Sequence, residues 1–270
     1  MSLKIVVLAK QVPDTRNVGK DAMTAEGTVN RAALPAIFNP EDLNALEQAL
    51  RLKDQNPGST VGILTMGPPR AGEIIRQGLY RGTDTGWLLT DRLFAGADTL
   101  ATSYALATGI KKIGDVDIVI GGRQAIDGDT AQVGPQIAEH LDIPTISYAQ
   151  KIVEVDEAAK TVTVERQFDD RYMTLKAKMP CLITALGELD TPRYMTPGGI
   201  FDAYDKETTV WGRNDLKDVE DSNIGKVGSP TQIAKASDKV RKGAGELKKD
   251  LSPAEAVDYI VEKLQAKHII

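Results

Sequence analysis

Four short apolar runs, at 5–9 (IVVLA), 61–65 (VGILT), 86–90 (GWLLT) and 117–120 (DIVI), punctuate the first 120 residues, and each leads through a polar loop into apolar positions spaced by three and four. Continuous apolar runs suit strands buried on both faces, as in a parallel sheet covered by helices on either side. Strand and helix in alternation predict an α/β fold, a doubly wound parallel sheet. The helix signals agree: Asn39 stands at an N-cap with Pro40 at the first helical position, acids in the first turn, and Leu43, Leu46 and Leu50 on one face. Ala71, Ile74, Ile75 and Leu79 mark a second helix ending at Gly82, and Asp98 caps a third that carries Leu100, Tyr104, Ala107 and Ile110.

After Pro144 the pattern changes. Segments 151–155, 161–167 and 172–177 alternate with a period of two between acidic turns, which predicts an antiparallel meander, and 180–185 reads as one more core strand with Cys181 as a buried structural thiol. From about 188 to 250 the chain is charged and rich in Gly, Ser and Asp, so an arm without its own core is expected, closed by a capping box at Ser252 and Glu255 and an amphipathic helix. The expected division is a nucleotide-binding α/β domain at 1–187, meander included, and an extended partner-binding arm at 188–270.

Ligands of open α/β sheets collect at the carboxyl ends of the strands. Those ends carry Ala9 and Lys10, Met66 and Gly67, and, after the fourth run, the loop beginning at Gly121 and Gly122. Asp127, Gly128, Asp129 and Thr130 then offer small side chains and a glycine free to take positive φ, ahead of a helix that should begin between Gln132 and Pro135. Unpaired N–H groups and the dipole at such a start attract anions, so the loop is a candidate pyrophosphate seat. The same residues also fit an ordinary turn capped by Asp129 or Thr130. Lys10 is either a charge for a phosphate or flavin or a solvated lysine at a strand end. The segment from 16 to 37 is expected to be a long loop with a short hairpin near Gly27.

Composition narrows the chemistry. A net charge of −5 without a basic block argues against nucleic acid. One cysteine and two distant histidines, His140 and His268, exclude a disulfide framework and the usual metal spacing, so redox chemistry would need an organic cofactor. No apolar run has membrane-spanning length and no signal peptide is evident, which makes the cytoplasm the default. G-x-G-x-x-G after the first strand, the P-loop and the G-x-S-x-G elbow are all missing, and no residue is required to do covalent catalysis.

KQVPDT at 10–15, FNPEDLNALEQAL at 38–50, RQAIDGDTAQVGPQIA at 123–138 and ELDTPRYMT at 188–196 together resemble the β subunit of electron transfer flavoproteins, over nearly the whole chain. The resemblance implies an adenine-nucleotide-binding, HUP-like fold and a heterodimer with an α subunit that holds an electron-carrying FAD. It implies either a structural AMP in this chain or, in electron-bifurcating members, a second FAD reduced by NADH. The forms at 12–15 and 127–130 are more similar to the bifurcating and nitrogen-fixation-associated branch. Bifurcation sends one electron to the α-subunit FAD and one to a low-potential acceptor such as ferredoxin or flavodoxin, in support of an FAD-containing dehydrogenase. Carried over residue by residue, the cofactor site comprises Ala9, Lys10, Asn39 and Asp42, then Met66 and Gly67. From the glycine loop it takes Gly122, Arg123, Gln124, Asp127, Gly128 and Asp129, followed by Thr130, Ala131, Gln132 and Val133. Leu189 and Arg193 fall in what looks like the partner-recognition loop. A different class, a stand-alone ATP- or AMP-binding protein of the same fold, fits the glycine loop equally.

Overall fold

The computed structural model describes residues 2–14, 35–187, 190–231, 243 and 245–270. The chain forms two compact units, Met1–Ala234 and Lys235–Ile270. The first unit begins with β1 (Lys4–Leu8), then β2 (Gln11–Pro13) and β3 (Ala36–Phe38), which pair antiparallel. Ala36 and Ile37, expected in the long loop from 16 to 37, thus lie in a strand paired with residues 11–13; the hairpin expected near Gly27 lies outside the described residues. There follow α1 (Pro40–Gln55), β4 (Thr60–Met66), α2 (Gly72–Arg81), β5 (Thr85–Leu89), α3 (Thr99–Ile113), β6 (Ile118–Gly122) and α4 (Val133–Leu141). Then come β7 (Thr145–Asp156), β8 (Thr161–Gln167), β9 (Tyr172–Lys178), β10 (Cys181–Ala185), α5 (Pro197–Asp202) and β11 (Thr208–Trp211).

Among the described residues nine strands form one sheet in the order β11-β5-β4-β1-β6-β10-β7-β8-β9. β1 shows why the sheet must be covered on both sides. Successive side chains point to opposite faces, so Ile5 and Val7 enter one buried cluster with Leu46 and Leu50 of α1 and Ile74 and Ile75 of α2. Val6 and Leu8 enter the other, with Leu106 and Ile110 of α3 and Ile137 of α4. The doubly wound reading is therefore realised, and each fully buried Leu or Ile contributes roughly 1.5–3 kcal/mol.

The meander is continuous with this sheet. β7 has 12 residues against 5 in β10. Its first part pairs parallel with β10 and its overhang pairs antiparallel with β8. The strand begins at Thr145, before the alternation at 151 that the sequence displays, because its inner end is fixed by pairing with β10, with Ile146 and Ala149 buried, and not by a period of two in its own residues.

The expected coreless arm also begins later than residue 188. β11 pairs parallel with β5 at the far edge of the sheet, where Trp211 stacks on Trp87 with ring centroids 6.2 Å apart. Leu216, Val219 and Ile224 are buried in the same cluster. These residues are isolated apolar positions in polar sequence, so no period announces them, and tertiary packing alone identifies them as core. In the second unit, α6 (Pro253–Gln265) has the expected capping box at Ser252 and Glu255.

Candidate functional site

β1 and β6 are neighbours, but the chain visits β4 and β5 on one side of β1 before crossing to β6 on the other. The crevice beyond their carboxyl ends is therefore a topological switch point, where helices on opposite faces diverge and leave room for a ligand. One lip is Ala9 and Lys10; the other is the loop that starts at Gly122. Met66 and Gly67 end the adjacent β4, and Gly67 N–H is held by Leu89 O at 3.0 Å.

The first turn of α1 braces both lips from within the protein. The Asp42 carboxylate accepts Lys10 N–H at 2.8 Å and Gly122 N–H at 2.9 Å. Glu41 accepts Gln124 N–H at 2.9 Å and pairs with Arg123 at 2.8 Å. Asn39 occupies the N-cap position without capping the helix through its side chain. Instead its side-chain amide donates to Gln124 O at 2.9 Å and accepts Ile126 N–H at 3.2 Å, while its own N–H donates to Lys10 O at 3.0 Å. Capping, the local explanation for Asn39, is thus replaced by contacts some 85 residues away in sequence. Lys10 Nζ reaches Asp127 Oδ1 at 2.6 Å, so this partly exposed lysine is paired within the site and links the two lips.

Glycine has a definite reason at Gly122, where a Cβ would lie 2.5 Å from Asp42 Oδ1 and 2.7 Å from Asp42 N. At Gly128 the expectation of positive φ is not met. The left-handed residues are Asp129 at φ 49° and Ala131 at φ 52°, and a Cβ on Gly128 would meet nothing within 4 Å. Gly128 and Asp129 N–H both turn back onto Ala125 O. Between 122 and 129, then, the backbone donors of Gly122, Arg123, Gln124, Ile126, Gly128 and Asp129 serve the fold.

The start of α4 differs. Gln132 is its N-cap residue, and no side chain caps it, from Asp129, Thr130 or elsewhere. Gln132 Oε1 instead accepts the hydroxyl of Thr99 at 2.9 Å, fixing the start of α4 to the start of α3. Thr130 and Gln132 are exposed and Ala131 and Val133 half-buried. A left-handed residue followed by a right-handed one points successive N–H groups the same way, which forms an anion-binding concavity, and the helix dipole reinforces it. The residues present fit a phosphate at 130–133 through backbone, helped by small side chains. The wider span 122–133 is divided between loop architecture and an open donor set.

Asp42 is buried, and burial pushes its carboxyl up to about 7, against the bonds from Lys10, Asn39 and Gly122 that favour ionisation. A value raised above that of the unfolded chain means that the stabilisation is present below about pH 4 and is lost as pH rises through about 7. Asp42→Asn cannot ionise. Relative to wild type it is expected to lose a pH-dependent fall in stability on the order of 3 kcal/mol between pH 4 and 8. Urea denaturation of both proteins across that range measures this, and parallel profiles would refute it.

Leu189 lies outside the described residues. Arg193 donates to Glu47 through N, Nε and Nη2 at 2.9, 2.9 and 3.0 Å and reaches Asp54 at 2.8 Å. Arg193, expected in the partner-recognition loop, thus also anchors its segment to α1. Tyr194 beside it is 91% exposed. A concavity of about 320 Å3, walled by Glu41, Arg123, Tyr148, Phe168, Asp169 and Leu186 among others, adjoins the crevice loop. Guanidinium groups of Arg123 and Arg166 stand 5.6 and 5.9 Å from the Tyr148 ring. No sequence motif marked Tyr148, although its φ of 57° sets it apart in the structure. Cys181 is buried and burial raises its thiol to about 12, which leaves it inert. Among the described residues no group of His, Cys, Asp or Glu is arranged to hold a metal ion, and no helix is long and apolar enough to cross a membrane.

The electron transfer flavoprotein domain matches residues 26–211. The chain is 50% identical to the electron transfer flavoprotein subunit beta of Clostridium acetobutylicum, over 99% of this chain and all of that protein. It is 47% identical to the caffeyl-CoA reductase-Etf complex subunit CarD of Acetobacterium woodii, over 99% of this chain and 100% of the relative. The acryloyl-CoA reductase electron transfer subunit gamma of Anaerotignum propionicum is 44% identical, with 99% and 100% covered. Identity at this level along full length, on a doubly wound sheet whose switch point presents an open helix start, places the chain in a family: it belongs to the electron transfer flavoproteins, among their β subunits.

Proposed function

We propose that this chain pairs with an electron transfer flavoprotein α subunit and binds FAD in the crevice between β1 and β6, serving electron transfer from NADH to the α-subunit FAD and to a low-potential acceptor such as ferredoxin or flavodoxin. The observation that carries the reading is the uncapped, exposed start of α4 at the switch point of the sheet. Its backbone at Thr130, Ala131, Gln132 and Val133 would hold the pyrophosphate. Ala9, Met66 and Gly67 would form the neighbouring wall, where small or flexible side chains allow close approach. When bound, the flavin supplies the redox chemistry, and the chain binds it, orients it and limits its contact with water. The names of two relatives, drawn from caffeyl-CoA and acryloyl-CoA reductase systems, support an FAD-containing dehydrogenase acting on CoA thioesters as the partner. The segment ELDTPRYMT, with Leu189 and the exposed Tyr194, is the docking loop we assign to it.

A structural AMP is the second reading, since AMP and FAD share the adenosine end and the same phosphate seat. Nucleotides released from the purified αβ complex distinguish the two. Two FAD per heterodimer, with NADH oxidation sustained only when high- and low-potential acceptors are both present, are expected. One FAD and one AMP would defeat bifurcation.

Gly128→Val locates the ligand independently of its identity. The position has no positive φ and open space around it, so stability should stay within about 0.5 kcal/mol of wild type. Nucleotide retention should nevertheless fall at least tenfold, because the added side chain would stand where the ligand passes. Full nucleotide occupancy in this folded variant would move the phosphates away from the loop.

A further inference from the structure

Asn39 and Asp42 came into the cofactor site through resemblance, yet they are 0% and 7% exposed. Their polar atoms are directed at protein backbone and at each other. Asp42 joins Lys10 N–H on the first lip to Gly122 N–H on the second. Asn39 takes Lys10 O through its N–H, and Gln124 O and Ile126 N–H through its side chain. A buried carboxylate or amide tied to two separate loops holds both at fixed separation, because releasing either bond would leave a buried polar group without a partner. At the surface the lips are joined by the Lys10–Asp127 ion pair at 2.6 Å, and behind them the first turn of α1 ties both backbones, with Pro40 holding that turn at the start of its helix.

We infer that Asn39 and Asp42 are positioning residues, a clasp that sets the width of the nucleotide crevice from behind while the nucleotide touches only backbone and side chains on the lips. The inference rests on the nucleotide reading proposed above. It assigns the FNPED sequence a different task from ligand contact: α1 delivers both side chains to the two strand ends at once, and the cleft is preorganised before any ligand arrives. The same geometry accounts for Gly122, since a side chain there would strike the Asp42 backbone.

Amide hydrogen exchange and nucleotide release, measured on the intact αβ complex, test the two halves separately. In Asp42→Ala the amides of Lys10 and Gly122 should exchange at least tenfold faster, while those of Val6 and Val119 within β1 and β6 keep their wild-type rates. Adenine nucleotide, followed by release into excess competing AMP, should leave at least tenfold faster with αβ association unchanged. Asp42→Asn, which keeps one acceptor oxygen, should restore part of both effects, and it serves as the second variant if the alanine protein does not fold. Unchanged exchange at Lys10 and Gly122 in these variants would overturn the clasp. Faster exchange with wild-type release would overturn its positioning role and leave a purely structural tie. A wild-type complex that contains no adenine nucleotide would instead defeat the functional reading, and with it the positioning role, while the exchange data still report whether the lips are tied.

Discussion

Gly122→Val is expected to destabilise the main unit by about 3–5 kcal/mol and to abolish nucleotide retention. The new Cβ would sit 2.7 Å from Asp42 N and 2.8 Å from the carbonyl carbon of Glu41. Both are backbone atoms in the first turn of α1, so no rotamer change relieves the contact, and overpacking of that kind costs roughly 1–3 kcal/mol. Moving the turn away would break the bonds from Asp42 to Lys10 and Gly122 and from Glu41 to Gln124. Each bond contributes about 0.5–1.5 kcal/mol net, and a buried group left unpaired costs more. Urea unfolding gives the stability, and absorbance of the purified complex gives bound flavin. A midpoint equal to wild type would mean that the lips tolerate separation, which would count against a braced crevice. Gly122→Val and Gly128→Val therefore have opposite signatures: the first damages the fold and the site together, the second the site alone.

Arg193→Ala should destabilise the same unit by about 2–4 kcal/mol. Glu47 is 5% exposed. Burial raises its carboxyl, but the hydrogen bonds and charge of Arg193 outweigh that and hold it below the ordinary carboxylate range. Removing one member of a buried pair strands the other charge, which generally costs 3–5 kcal/mol. The lower range applies here because Arg51 also reaches Glu47, at 3.4 Å, and remains in place. The double variant Glu47→Gln, Arg193→Ala should recover part of the loss, since it removes the stranded charge. Equal stability of Arg193→Ala and wild type would show that the pair contributes nothing and would restore Arg193 as a candidate partner contact. If the loss is found, weaker dehydrogenase binding by this variant reflects a displaced loop rather than a missing contact.

The stretch from Asp91 to Leu141 shows what could be read locally. Asp98 was expected to cap a helix, and its side chain accepts Ala101 N–H at 3.0 Å. The helix after the glycine loop was expected between 132 and 135, and α4 begins at Val133. Both follow from short-range physics, since a cap and its helix lie within four residues and an apolar period records which face is buried. The fold class follows in the same way, from apolar runs long enough to be buried on both faces of a sheet. The carboxyl-end location of the crevice comes with it, as a consequence of the topology such alternation requires.

Other features depended on partners far away in sequence. Asn39 has the spacing of a cap, yet its amide faces residues 124–126. Gly128 stands where a flexible residue is expected, yet the left-handed positions are Asp129 and Ala131. Trp211 and Leu216 sit in polar sequence, yet they complete the core beside β5. Periodicity reports a residue's neighbours along one element, and says nothing of which distant element closes over it. By itself the sequence determined a doubly wound α/β sheet with a glycine-containing loop at a strand end and membership of a flavoprotein family. Only the tertiary structure decided which backbone donors of that loop serve the fold and which stay open at the start of α4, because that division is made by side chains at the start of α1, about 80 residues earlier in the chain, together with the carbonyls of Ala125 and Ala185.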